Sequence, residues 1–200
     1  MSATNRGGQR HPDDFYATPA WCVRGLLDCV DLAHIPIVDP CAGTGAIIRA
    51  LAECGLDAMG IEASQERAED ANSMLSRQWE QDPQTVAHSF VIHGDGLARS
   101  WRGNRIVINP PFKTARLWIE KGLREAVSMS ALLRLGFLAS RKRADMWSVV
   151  TAPDQMIVLS SRPSFTGNGT DSCDYAWYHW DCERVRSGKH AMTRMGWCFK

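Results

Sequence analysis

The tetrapeptide Asn109-Pro110-Pro111-Phe112 is the strongest chemical signal in the chain. The side-chain oxygen of Asn109 and the backbone carbonyl of Pro110 are two hydrogen-bond acceptors placed close together. The prolines have no N–H to compete, and their rings fix the local φ angles, so the acceptors are preorganised. An exocyclic amine such as that of adenine is a poor nucleophile, because its lone pair is delocalised into the ring. Two acceptors aimed at its N–H groups favour a pyramidal nitrogen and stabilise the positive charge that grows as it attacks an electrophile. Phe112 adds a flat face on which a base can stack, worth ~1–3 kcal/mol. Asn109 is neutral and no strong base, so the proton is expected to leave to water. The bland alternative is a proline-stiffened turn after a strand, with Phe112 in the core.

A second group of residues suits a cationic nucleoside. DPCAGTG, residues 39–45, reads as a strand-to-helix turn in which Gly43 and Gly45 permit tight geometry and close ligand approach. It is neither the GxGxxG of a dinucleotide site nor a phosphate loop with its Lys-Ser/Thr pair. Asp39 at its start opposes pyrophosphate and fits a ligand such as adenosylmethionine, with its sulfonium and ammonium charges. Pro40, Cys41, Ala42 and Thr44 complete the turn. Glu62, ending the next apolar run, can accept from both ribose hydroxyls. Asp95 can accept the amino group of the ligand's adenine, with Gly96 and Leu97 lining the ring. Each carboxylate could instead merely cap the following helix. Their recurrence at successive strand ends favours a ligand site.

Elements must hold these residues together, and the pattern supplies them. Short apolar runs in IPIVDP (35–40), DAMGIEAS, HSFVIHGDG and NRIVINPPF read as four strands. Helices are expected after Pro19, with Thr18 as cap, over 46–55 with Gly55 at the C-terminal end, over 64–81 and over 113–127. ALLRLGFLA (131–139) reads as a fifth strand and RKRADMWSVV as a helix. DQMIVLSSRPSF (154–165) and CDYAWYHWD read as an antiparallel hairpin. Alternating strands and helices imply an α/β fold with a mainly parallel sheet, whose ligands bind beyond the carboxyl ends of the strands. Asp39, Glu62, Asp95 and Asn109 all fall at such ends.

The 200 residues suit one domain. Residues 1–14 are expected to be a flexible polar arm, 15–181 a catalytic domain and 182–200 a basic tail. No hydrophobic signal segment or membrane-length apolar run is present, which points to the cytoplasm. Seven cysteines without CxxC pairs read as reduced thiols, and no metal site is expected. The net charge of +1 is low for a dedicated nucleic-acid binder, although Arg141–Arg143 and Arg184, Arg186, Lys189 and Arg194 form local basic clusters. Each of these charges could simply be solvated surface.

DPCAGTG followed by NPPF resembles the class I methyltransferases that modify amino groups of DNA bases. The order FYATP (15–19), DPCAGTG, NPPF and RPSFTGNGTDSCDYAWYHW (162–180) is similar to small bacteriophage-type adenine methyltransferases, over roughly residues 15–181. The resemblance implies a Rossmann-like fold, with a seven-stranded, mainly parallel sheet whose last strand is antiparallel. It implies S-adenosylmethionine as cofactor. Thr18 and Pro19, with Tyr16 nearby, would contact the methionine part, Glu62 the ribose and Asp95 the adenine. NPPF favours adenine over cytosine, whose enzymes more often carry Ser first. Glutamine-modifying protein methyltransferases carry a similar tetrapeptide, usually ending in Tyr. DNA adenine, RNA adenine, a protein amide and a catalytically silent binding module therefore all stay open. The length leaves no room for a separate target-recognition domain. Recognition would fall to loops, with Lys113, Arg116, Arg141, Lys142, Arg143 and Arg162 as candidate DNA contacts, or to a second subunit or homo-oligomer. A DNA target would be flipped from the stack or met single-stranded. The implied setting is a bacterial host cell, with a phage-encoded enzyme.

Overall fold

A computed structural model describes residues 17–82, 88–139, 141–148, 151–165 and 169–200. Five short parallel strands come first: β1 (Ile37–Asp39), β2 (Ala58–Glu62), β3 (Phe90–His93), β4 (Arg105–Ile108) and β5 (Ser128–Arg134). β6 (Gln155–Leu159), β7 (Tyr175–Asp181) and β8 (Arg194–Cys198) extend the sheet, whose order is β3-β2-β1-β4-β5-β7-β6-β8. β7 runs antiparallel to both β5 and β6, forming the expected hairpin, and β8 lies parallel to β6. β1 is buried throughout and β5 in all but its last residue, as strands covered on both faces must be.

α1 (Ala20–Leu27), α2 (Ala46–Glu53), α3 (Gln65–Gln81) and α4 (Ala115–Glu125) supply that cover. On one face Cys22, Leu26, Ile48, Leu51 and Ala71 pack with Trp177, whose indole N–H donates to the Cys22 carbonyl at 2.7 Å. On the other, Trp101 and Trp118 stack at 6.0 Å beside Ile119, Met129 and Trp180. Crossover helices between parallel strands leave the carboxyl ends of β1, β2, β4 and β5 along one edge, with the strand order reversing beside β1 and β4.

Several expectations need correction. The sheet has eight strands, because residues 182–200 hold α5 (Cys182–Arg186) and β8 rather than a tail. The charges there hold the fold together. Arg184 pairs with Asp154 at 2.7 Å, and Arg186 donates to the carbonyls of Leu123 and Ala126 at the end of α4. The fifth strand begins at Ser128, since the helix stops at Glu125 and Ala126 is already extended (ψ 162°). Residues Leu135–Phe137 turn into a single 3-10 turn, and Arg141–Met146 form a 3-10 helix instead of an α-helix. Thr18 does not cap α1; Pro19 holds the N-cap position, and no side chain accepts a capping hydrogen bond there. Residues 1–14 lie outside the described residues. Among the described residues no helix is long and apolar enough to cross a membrane.

Candidate active site

Asp39 ends β1 only 2% exposed, and its Oδ1 accepts the N–H of Cys41 at 3.1 Å. Burial pushes its carboxyl up to about 7; the Cys41 N–H offsets part of this, and the neighbouring charge of Glu62 adds to the rise. The chain then turns through Pro40–Thr44. Gly43 (φ 55°) and Gly45 (φ 72°) take left-handed conformations that side chains resist, and Gly45 becomes the N-cap of α2.

Glu62 ends β2 and is 6% exposed. Its Oε2 accepts the Gly43 N–H at 2.9 Å, binding the turn to the second strand. Its Oε1 accepts the Ser64 N–H at 2.9 Å and the Arg67 guanidinium at 2.8 Å. A ribose diol at this carboxylate would therefore share it with Arg67 or displace that side chain. Asp95 stands exposed at the rim, its Oδ1 accepting the Leu97 N–H at 2.8 Å. Leu97 is half-buried against the second core. Gly96 between them presses against the Pro40–Thr44 turn: a Cβ there would sit 1.8 Å from the Pro40 carbonyl oxygen. The buried Trp101 indole donates to the Gly96 carbonyl at 2.9 Å and pins the loop from below. Gly96→Ala must push the 94–97 loop off Pro40, at a cost of about 1–3 kcal/mol. The variant is expected to lose ~10-fold or more in adenosylmethionine affinity by calorimetry while remaining folded by circular dichroism.

Asn109 follows β4 directly. Its side-chain amide donates to Thr18 Oγ1 at 3.0 Å, which turns Oδ1 away from Thr18. Thr18 thus orients the asparagine, where the sequence suggested a helix cap. The Asn109 carbonyl lies 3.5 Å from the Cys41 thiol, so the two turns touch. Pro110 is buried and Pro111 accepts the Thr114 N–H at 3.0 Å, closing the turn into α4. Phe112 carries the Arg134 guanidinium over its ring at 4.3 Å and meets Tyr175 at 6.0 Å. A base stacking on Phe112 would have to use its other face or replace that guanidinium.

One cleft is lined by Thr18, Asp39, Cys41, Glu62, Asp95 and Asn109, with Pro40, Ala42, Gly96 and Pro111 in its walls. Pro19, Gly43, Thr44, Gly45, Leu97 and Pro110 shape the adjoining turns without lining it. Phe112 opens onto a neighbouring cleft. Tyr16 and the side chain of Lys142 lie outside the described residues.

No family model matches the sequence, and no curated protein matches it. Solved structures do. A candidate RNA methyltransferase from Pyrococcus horikoshii superposes with a TM-score of 0.59 at 16% identity, covering 86% of this chain and 90% of its own. A 23S rRNA methyltransferase gives 0.59 at 15% identity, covering 82% of this chain and 68% of its own. The Pyrococcus abyssi tRNA (uracil-54, C5)-methyltransferase, solved with S-adenosyl-L-homocysteine, gives 0.54 at 16% identity over 78% of this chain and 36% of its own. The chain has the Rossmann-like methyltransferase fold.

On this methyltransferase fold the basic candidates separate clearly. Arg116 forms a two-point pair with Asp145 at 2.9 Å and also meets Glu120 at 2.7 Å. Arg162 pairs with Asp174 at 2.8 Å. Lys113 and Arg141 are exposed, and Arg143 lines the cleft beside Phe112. Two residues absent from the sequence-based set stand in the clefts. Arg67, at the third position of α3, reaches back to Glu62; a capping serine followed by arginine one turn after a strand-end carboxylate was the available signal. Arg134 ends β5 at the same sheet edge as Asp39, and placing that strand at its true bounds would have found it.

Proposed function

We propose that this chain transfers a methyl group from S-adenosylmethionine to the exocyclic amino group of adenine in DNA. The observation that carries this reading is the Thr18–Asn109 hydrogen bond, which fixes an amide at the end of β4 in the same cleft as the buried Asp39. The cleft suits the cofactor's chemistry. A nearly inaccessible carboxylate whose proton affinity is raised by burial gains most from a cationic ligand. Glu62 and Asp95 supply acceptors for ribose and adenine hydroxyl or amino groups.

Bound S-adenosylmethionine supplies an electrophilic methyl group on a positively charged sulfur. The chain's own residues then act on the amine. Asn109 Oδ1 and the Pro110 carbonyl accept its two N–H groups and stabilise positive charge as it develops on nitrogen. Thr18 holds the amide in the sense that presents oxygen to the amine. Burial of Asp39 keeps bulk water from competing for the cation. After transfer the nitrogen has one proton too many, which passes to water, since neither the Asn109 amide nor the Pro110 carbonyl is a strong base. The supporting signals for DNA are the NPPF tetrapeptide and the phage-like order of motifs, and the setting proposed is the cytoplasm of a bacterial host cell.

The test is transfer of labelled methyl from adenosylmethionine to unmethylated single- and double-stranded DNA, followed by nucleoside analysis. Label in 6-methyladenine is the expected result. Adenosylmethionine binding without label in DNA would move the reading to RNA adenine or a protein glutamine amide, which share the same sp² amine chemistry.

A further inference from the structure

Beside the catalytic tetrapeptide lies a second cleft of about 460 Å³, lined by Phe112, Arg134, Phe137, Arg143, Cys173 and Asp174. That volume is in the range of sites for nucleotide-sized ligands. Two arginines line it, and the guanidinium of each stands over an aromatic ring. Arg134 covers Phe112 at 4.3 Å and Arg143 covers Phe137 at 4.3 Å. The cation–π contact holds each guanidinium against its ring.

Their pairing differs. Arg134 donates to the Tyr175 hydroxyl at 3.0 Å and stands 3.7 Å from Asp171. Arg143 donates to the carbonyls of Phe137 at 2.8 Å and Gly136 at 3.1 Å. Those acceptors are neutral, and no ion pair to Arg143 is found among the described residues. Asp174, the carboxylate in the cleft wall, is already engaged by Arg162 at 2.8 Å. The cleft therefore holds a prepositioned, uncompensated cation next to a second one. The two carbonyl bonds engage two of the five N–H groups of Arg143 and hold it in the cleft wall.

We infer that this cleft binds a phosphodiester of the substrate strand next to the methylated base, with Arg143 as its anchor and Arg134 as its second donor. The inference rests on the DNA reading above and narrows it: the site takes a nucleic-acid backbone, not a peptide amide. A guanidinium with two of its five N–H groups bonded keeps donors for a tetrahedral oxyanion with two accepting oxygens. Arg116 and Arg162, whose charges are matched, are not part of it.

The salt dependence of binding reads phosphate contacts independently of catalysis. A fluorescent single-stranded deoxyadenosine oligonucleotide is titrated by anisotropy over a range of salt with wild type, Arg143→Gln and Arg143→Lys. Each phosphate contact to single strands contributes about 0.7 to the slope of log K against log salt. Arg143→Gln is expected to lose about that much slope and ~5–10-fold in affinity at low salt, with adenosylmethionine affinity unchanged and the protein still folded by circular dichroism. Arg143→Lys, which keeps the charge, is expected to retain most of the slope. An unchanged slope in Arg143→Gln, or no oligonucleotide binding by wild type, would overturn the inference. A lost slope in a protein that never methylates DNA would leave the phosphate site standing and sink the catalytic reading instead. Methylation with an unaltered slope would do the reverse.

Discussion

Asn109→Ala is expected to lower kcat for methyl transfer by about 10²–10³-fold, with adenosylmethionine affinity nearly retained. The asymmetry follows from position. Asp39 and Glu62 hang from β1 and β2, whereas Asn109 leaves β4, where its amide donates to Thr18. Removing the amide deletes one of two acceptors for the reacting amine and leaves the carboxylates and their backbone bonds in place. Because that acceptor gains strength only as charge builds on nitrogen, the loss belongs to the transition state and appears in kcat. Thr18→Val checks the orientation argument. Without the hydroxyl, the amide can turn its NH₂ toward the amine, and a loss of about one hydrogen bond, ~5–10-fold in kcat, is expected. Single-turnover methyl transfer and calorimetry on the two variants separate these effects. If Asn109→Ala bound adenosylmethionine poorly but transferred methyl at an unchanged rate once saturated, the tetrapeptide would belong to cofactor binding.

What the sequence showed of this site, and what it hid, follows from the range of the forces involved. Strand ends were legible because a short apolar run that stops at a carboxylate or an asparagine leaves a local trace. Asp39, Glu62 and Asn109 each carry one. The turn after β1 was legible because glycine relieves the left-handed backbone at residues 43 and 45. Contacts between distant segments left no such trace. Thr18 read as a helix cap because Ser or Thr before Pro is the common local solution, yet its hydroxyl accepts from an amide 91 positions away. Arg134 was hidden by a one-turn error in a strand boundary: leucines at 132, 133 and 135 suit strand or helix alike, and the burial of Met129 and Ser130 that starts the strand is a tertiary fact. The basic residues near the C-terminus looked like a tail because their acceptors are carbonyls at the end of α4 and a carboxylate before β6. The polar spacing of 182–200 gave no hint that β8 would find an edge to pair with.

Lowering the pH from 7 to 5 is expected to weaken adenosylmethionine binding by up to about tenfold per unit, while binding of the neutral thioether nucleoside 5′-methylthioadenosine stays flat. The cause is Asp39, whose burial raises its carboxyl to about 7 in the folded chain. A cation binds the ionised form, so below that value each bound ligand must first displace a proton. The thioether nucleoside carries neither sulfonium nor ammonium and has nothing to gain from the charge. The cofactor's own ammonium titrates near 8, which places the informative window below 7. Stability carries the same linkage with its own sign. Between the unfolded carboxyl's value of about 4 and the folded value, the folded chain holds a proton that the unfolded chain has lost. Stability therefore falls as pH rises through that window and is lowest above it, by at most about 4 kcal/mol. Asp39→Asn removes the penalty. The variant is expected to melt higher than wild type at pH 8 and to match it near pH 4, while binding adenosylmethionine ~10–100-fold more weakly at pH 7. Calorimetric titrations with both ligands, beside melting curves of both proteins, read the two effects separately. Flat adenosylmethionine affinity from pH 5 to 7 would mean that Asp39 does not face the cation, and the carboxylate would then serve only to fold the turn.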